Sequence, residues 1–465
     1  MKSSRRIFSM ALAATFVAAS CGSDTKTAEP AATTKAGAAT TAAAAGGASI
    51  AGGAIKCTQQ YKGKTINIFS PVRDSETEKA ATRLRDGYAG FEACTGAKVV
   101  FEGTDQFETE IKVRVAGGNP PDLIDFPQPG GLQGLIAKGQ VKAFPDALAK
   151  SVVADNLAGW PELGTVNGKV YGVPARANVK SLVWYSPADF KAKGYAIPKT
   201  LDELKTLSDK IAADGGTPWC VGIESGVATG WPITDWFEDF MLRINGPEVY
   251  DQWVAHKIAF DDPKVKAVAD AVAAYVKNPK YIAGGENGVK AIATTKFQEG
   301  GFPILDKKCY MHRQASFYGG IWAKGTKIGP EGQVDTFYLP TVAGGKKVML
   351  GGGDLYGAGT DKPETFDALL YTGSAEYHAT IMAAGETGLS PRKDFDTTKI
   401  ADPVIKGFAD LLKSSEVFRF DGADMMPAAV GSGSFWKEAT AWIVGGSTDT
   451  MLKNIEASWK ALPAS

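Results

Sequence analysis

The sequence is poor in the residues and patterns that would commit it to chemistry. Histidine occurs only at His256, His312 and His378, so a histidine-rich metal site is not expected. No charge of either sign dominates: 51 Lys and Arg stand against 51 Asp and Glu. With no basic run either, nucleic acid is not an expected partner. After the N-terminus there is no second apolar stretch of about 18 residues, which argues against a polytopic membrane protein. Neither GxSxG nor GxxxxGK followed by Ser or Thr is present, nor any CxxC pair. Nucleophile-elbow hydrolases, P-loop enzymes and redox dithiols are thereby disfavoured. What remains is an ordinary globular composition over 465 residues, enough for two lobes.

Residues 1–20 have the three parts of a secretory signal. Lys2, Arg5 and Arg6 form a basic start, Ile7 to Ala19 are mostly apolar, and Ala18, Ala19 and Ser20 lead to Cys21. Small residues before a cysteine resemble a bacterial lipobox, with Cys21 as the lipid anchor; a plain secreted protein is the alternative. Residues 21–56 then read as a lipidated N-terminus and a flexible Ala/Thr/Gly linker, since they offer few large side chains to bury. The remaining cysteines, Cys57, Cys94, Cys220 and Cys309, are even in number, and in an oxidising compartment they read as disulfides. Three connectivities are open, Cys57–Cys94 with Cys220–Cys309 being the sequence-local choice.

The folded body alternates strands and helices. Thr65–Phe69, Lys98–Glu102 and Leu123–Phe126 read as strands. Between them, Ser75 with Glu78 opens a helix running through Leu84 and Phe91, and Asp105 with Glu108 opens another with Phe107, Ile111 and Val115 on one face. A second unit begins with strands at Val170–Pro174 and Ser181–Tyr185. It continues with a Thr200/Glu203 capping box and a helix between Ile258 and Val276. The expected fold class is α/β: two lobes with an interlobe ligand cleft. In such sheets ligands gather beyond the carboxyl ends of the strands.

The loops at those ends are rich in Trp, Tyr, Asp, Gln and Arg. Sugars need flat aromatic faces for their C–H surfaces and planar polar groups for their hydroxyls. Several of the 10 tryptophans sit beside Pro or Gly, which as a set suggests platforms rather than core. Asp235, Glu238 and Asp239 share a helix face, so a glycosidase carboxylate pair is conceivable. The same spacing describes a solvated face, the reading favoured here. His312-Arg313-Gln314 beside Cys309 is either a ligand loop clamped by a bridge or a backbone-satisfying cluster. Gly351–Gly353 reads as a hinge or turn.

These segments resemble the extracellular solute-binding proteins of carbohydrate ABC transporters, the maltose-binding-protein-like family. The likeness rests on Gly117-Gly118-Asn119-Pro120-Pro121-Asp122-Leu123-Ile124, Gly168 to Pro174, Leu182 to Ser186 and Pro198 to Leu204. Thr217 to Gly226, Trp231 to Trp236, Asp251 to His256 and His312 to Phe317 are similar to the alpha-glucoside-binding branch. The resemblance implies a periplasmic-binding-protein-like fold. One lobe takes 57–176 plus 353–388 and the other 177–352 plus 389–465, with hinge crossings near Gly351–Gly353 and Gly388. It also implies a ligand site of Arg73, Phe126, Gln128, Trp231, Arg313, Gln314, Asp354 and Trp436. Trp184 and Tyr185 belong to a family strand and are core or site. The protein is then expected to be a monomeric, lipid-anchored receptor on the outer face of the cell membrane. It captures an alpha-glucoside for an ABC permease, without cofactor, metal or catalysis. A receptor for a polyol or glycerol phosphate ester, or a secreted glycoside hydrolase, are the alternatives.

Overall fold

In the computed structural model, residues 48–74, 79–400 and 402–463 are described. The signal segment 1–20, Cys21, the linker as far as residue 47 and the Ser75/Glu78 cap lie outside them. Three strands form the parallel heart of the main sheet, Thr65–Ser70 lying between Lys98–Gly103 and Leu123–Phe126. Their inward side chains, including Ile66, Ile68, Val99 and Leu123, are buried. Alternation over so few residues specifies register, because a one-residue slip would turn these groups to water.

Two longer strands extend this sheet. Val348–Ala358 runs antiparallel to Leu123–Phe126 through Leu355–Ala358 and parallel to Val417–Phe420 through Val348–Gly351. Gly172–Val179 pairs with it along nearly its whole length. Ala177 faces Gly353 in that ladder and also bridges to Leu389. Three chain segments thus cross side by side. Beyond them a short antiparallel sheet, Met311–Arg313, Leu182–Tyr185 and Asp335–Tyr338, packs among helices including Leu201–Ala213, Trp231–Val254 and Pro263–Val276. The second unit is therefore helix-rich around an antiparallel sheet rather than a repeat of the first.

Several sequence expectations change here. The stretch read as linker is folded at its end: Ser49–Ile50 pairs with Ile55–Lys56, and Ile55 is buried. The helix expected through Leu84 and Phe91 is two, Ala80–Asp86 and Ala89–Thr95. At the break, Gly87 packs so closely on Tyr377 and Ile381 that a β-carbon would lie 2.6 Å from each. The helix Phe107–Ala116 has no side-chain cap, because Asp105 is engaged by Arg73 and Gln106 instead. Thr200 does cap its helix, accepting from the Glu203 amide at 3.1 Å. Gly351–Gly353 lie inside a strand and are needed for close approach, not for turning. A β-carbon on Gly353 would meet the Arg176 carbonyl at 2.1 Å. The disulfides are Cys57–Cys94 and Cys220–Cys309, the sequence-local pairing.

Candidate functional site

The carboxyl ends of the three parallel strands open onto a cleft of about 930 Å³. Each strand delivers a loop to its rim: Pro71 to Asp74, then Thr104, Asp105 and Glu108, then Pro127 and Gln128. Glu108, whose carboxyl burial pushes up, accepts a hydrogen bond from Gln128 Nε2 at 3.3 Å. Arg73 pairs with Asp105. The floor comes from the crossing segments, which supply Arg176, Asn178, Lys180, Asp354 and Glu386.

The opposite wall is aromatic. Trp231 packs against Phe297 and Phe317, with ring centroids 5.1 and 5.9 Å away, and Trp436 lies beside it on the cleft. Trp231 begins its helix after Gly230, which has φ +116°. Pro232 suits the first turn because its missing N–H would have no helical partner there. The Trp436 indole N–H is buried without a hydrogen-bond partner among the described residues.

Behind the floor lies a layer of charge. Lys180 Nζ is 3.0 Å from Asp235, 2.5 Å from Asp421 and 3.8 Å from Asp424. Arg313 bonds Asp235 at 3.1 Å and also Asp239, which in turn holds Arg243 at 2.6 Å. Five carboxyl groups (Asp235, Glu238, Asp239, Asp421 and Asp424) thus share three cations. Two of the five relieve the excess: burial, with the Asp421 charge adding to it, pushes Glu238 and Asp424 well above the carboxylate range. Asp235 is pushed up to about 6 by burial, against the pull of Lys180 and Arg313. Burial also opposes charge on Asp421 and Asp239, but Lys180 for the first and Arg243 with Arg313 for the second hold them below their ordinary value. The solvated reading of the Asp235/Glu238/Asp239 face is therefore wrong: all three are fully buried. Nor do they line the cleft, so the proposed glycosidase pair has no access to a substrate there. Oxygens of Asp235, Glu238 and Asp421 come within 4.8 Å of one another, but the Lys180 ammonium already takes the place of a cation between two of them.

Of the expected ligand residues, Arg73, Gln128, Trp231, Asp354 and Trp436 line the cleft together. Phe126, Arg313 and Gln314 do not. Phe126 is core, edge-on to Phe107 at 6.0 Å. Arg313 is locked in the carboxylate layer, its planar guanidinium matching two carboxylates. Gln314 is 1% exposed and accepts from the Ala315 amide. His312 satisfies backbone beside the bridge: its Nδ1 is 2.9 Å from the Cys220 carbonyl, and burial pushes its pKa down to about 4. Trp184 is core, donating to the Gln314 carbonyl. Most tryptophans are buried, and only Trp231 and Trp436 reach the cleft, so the reading of the set as platforms narrows to these two. Sequence reasoning missed Glu108, Arg176, Lys180, Glu386 and Asp424. Arg176 had a signal, a charge inside the otherwise apolar strand after Val173-Pro174-Ala175.

Comparison with known proteins places this geometry. The family model for bacterial extracellular solute-binding proteins matches residues 73–365. The osmoprotective compounds-binding protein GgtB of Synechocystis sp. is 37% identical over 401 residues, covering 85% of this chain and 92% of GgtB. The alpha-glucosides-binding periplasmic protein AglE of Rhizobium meliloti is 34% identical over 415 residues, covering 86% of this chain and 88% of AglE. Among solved structures, the bacterial solute receptor AcbH superposes with a TM-score of 0.72 at 20% identity, covering 85% of this chain and 98% of AcbH. Maltose-bound MalE3 of T. maritima gives 0.65 at 16%, covering 85% and 99%. These superpositions show a shared fold, that of two-lobed solute-binding proteins. The relatives are binding components of transport systems, and the chain belongs to the family of bacterial extracellular solute-binding proteins, in its sugar ABC-transporter group.

Proposed function

We propose that the protein captures an alpha-glucoside di- or oligosaccharide in this cleft and delivers it to an ABC permease, as a monomer tethered to the outer face of the cell membrane by a lipid on Cys21. The observation that carries the reading is the pairing of the Trp231/Trp436 wall with the polar groups of Gln128, Arg176 and Asp354 across one cavity. An aromatic plane suits the C–H face of a pyranose, and carboxylate, amide and guanidinium groups suit its hydroxyls. The named ligand of AglE supports the alpha-linked class.

Lobes of 57–176 plus 353–388 and 177–352 plus 389–465 are supported by the pairing of Ala177 with Gly353 and Leu389, which sets three chain segments side by side at those boundaries, and closure would turn about these crossings. Closure needs only that the sugar bind the closed form more tightly than the open one.

Charge pairing disfavours a phosphate ester. The four cations on the cleft, Arg73, Arg176, Lys180 and Lys296, each have a carboxylate partner within the chain. A polyol is the second reading, and the osmoprotective compounds named as GgtB's ligands support it.

A thermal-shift screen of mature protein against maltose, trehalose, sucrose, glycerol and glycerol phosphate tests these readings. A ligand at a hundredfold excess over Kd adds about 2.7 kcal/mol of apparent stability. A shift with an alpha-linked disaccharide is expected. A shift with glycerol phosphate alone, or with none of the sugars at millimolar concentration, would sink the assignment. Release of glucose on prolonged incubation would overturn the non-enzymatic reading.

A further inference from the structure

Each of the three crossing segments places one charged side chain on the floor of the cleft. Arg176 comes from Gly172–Val179 and Asp354 from Val348–Ala358, while Glu386 precedes the Leu389 bridge to Ala177. All three are buried, at 8%, 4% and 3% exposure, yet all line the cavity. A guanidinium nitrogen of Arg176 lies 2.7 Å from Asp354 Oδ2, and another lies 3.8 Å from Glu386 Oε1. Glu386 Oε1 accepts from the Gly388 amide at 3.1 Å, whereas Arg176 Nε and Glu386 Oε2 are buried without a hydrogen-bond partner among the described residues. Arg83 makes an ion pair with the latter at 3.9 Å, longer than a hydrogen bond.

A buried donor and a buried acceptor without hydrogen bonds, on two side chains that line one cavity, are costly unless something fills them. The fixed fork of a guanidinium beside a carboxylate has the pattern of two adjacent hydroxyls. One hydroxyl oxygen accepts from the arginine, and the neighbouring O–H donates to the carboxylate. The Arg73–Asp105 pair on the rim also sets a guanidinium beside a carboxylate, but both are more than a third exposed and open to water.

We propose that Arg176 and Glu386, braced by Asp354, form the subsite that reads a vicinal hydroxyl pair of the bound sugar. The assignment rests on the carbohydrate reading above and deepens it by naming which residues discriminate among sugars. It also gives the ligand a direct hold on the crossings. Hydroxyls bonded to two of the three segments fix those segments relative to each other, so occupancy and lobe orientation are linked through the same atoms.

The test is isothermal titration of the intact mature protein with maltose, trehalose and the monodeoxy analogues of whichever binds. For wild type, removing one hydroxyl of the recognised pair should cost about tenfold or more in affinity, because the site's polar atoms are then left unpaired. Glu386→Gln and Arg176→Lys should each weaken the parent sugar comparably, and neither should lose much more on that same deoxy analogue. Full, additive losses in the variants would overturn the subsite. So would a wild-type series in which no single deoxy position costs more than about twofold, a measurement that holds even if a variant fails to fold. If wild type binds neither disaccharide, the carbohydrate reading itself falls and the subsite with it.

Discussion

Gly230 lies against the backbone of Trp436: a β-carbon at residue 230 would sit 2.3 Å from the Trp436 carbonyl oxygen. The two tryptophans of the cleft are thus set beside one another by a glycine that also holds a left-handed φ of +116°. Gly230→Ala meets both obstacles, a strained dihedral and a backbone collision. It is expected to destabilise the protein by about 1–3 kcal/mol and to weaken sugar binding by separating the Trp231 helix from Trp436. Urea unfolding with sugar titration on the folded variant checks both; unaltered affinity would show that the two rings do not act together.

Arg313 should behave as a structural residue. Its side chain is 1% exposed between Asp235 and Asp239. Arg313→Met keeps much of the bulk but leaves two buried carboxylates short of a cation, and breaking such a pair costs about 3–5 kcal/mol. Chemical denaturation should show that loss, with a much smaller change in affinity for the folded fraction. A large affinity loss at nearly unchanged stability would instead return Arg313 to the ligand site.

Much of this organisation was legible in the sequence, and the failures have a common cause. Thr65–Ser70 and Leu123–Phe126 were readable because short apolar runs bounded by turn residues have few other fates, and the loops after them located the cleft. The charged groups were misjudged because spacing along a helix does not tell which face meets water. Asp235, Glu238 and Asp239 have the spacing of a solvated face, but partners from remote segments, Lys180 and Arg313, bury them. Arg313 was placed at the ligand for the same reason, since the carboxylates claiming it lie 74 and 78 residues away in sequence. Glu386 joins the floor only through the third crossing, which no local pattern announces.

The disulfides should contribute unequally. Cys220–Cys309 closes a separation of 89 residues and Cys57–Cys94 one of 37. On the chain-entropy account each adds about 3–5 kcal/mol, the longer loop somewhat more. Paired Cys→Ser variants, compared by denaturation under oxidising conditions, should rank Cys220/Cys309 as the more damaging removal. The reverse order would point to native-state packing around Cys94 as the larger effect.

Asp125 gives the fold a pH dependence of definite sign. It lies one residue from the end of the third parallel strand, fully buried, accepting from Ser70 Oγ at 2.7 Å. Burial first, and then the charge of Asp354, push its carboxyl up to about 8, with Arg176 pulling the other way. The native state therefore keeps a proton that the unfolded chain releases near pH 3.8. Its contribution is fully present below that value and is lost as pH rises towards 8, at up to about 1.4 kcal/mol per pH unit. Asp125→Asn fixes the neutral form and should flatten this part of the profile. Urea unfolding at pH 5, 6, 7 and 8 compares the two, the wild type losing more stability across the series than the variant. Parallel profiles would mean that Arg176 keeps Asp125 ionised in the folded protein, and that the excess proton of this layer resides on Asp354 instead.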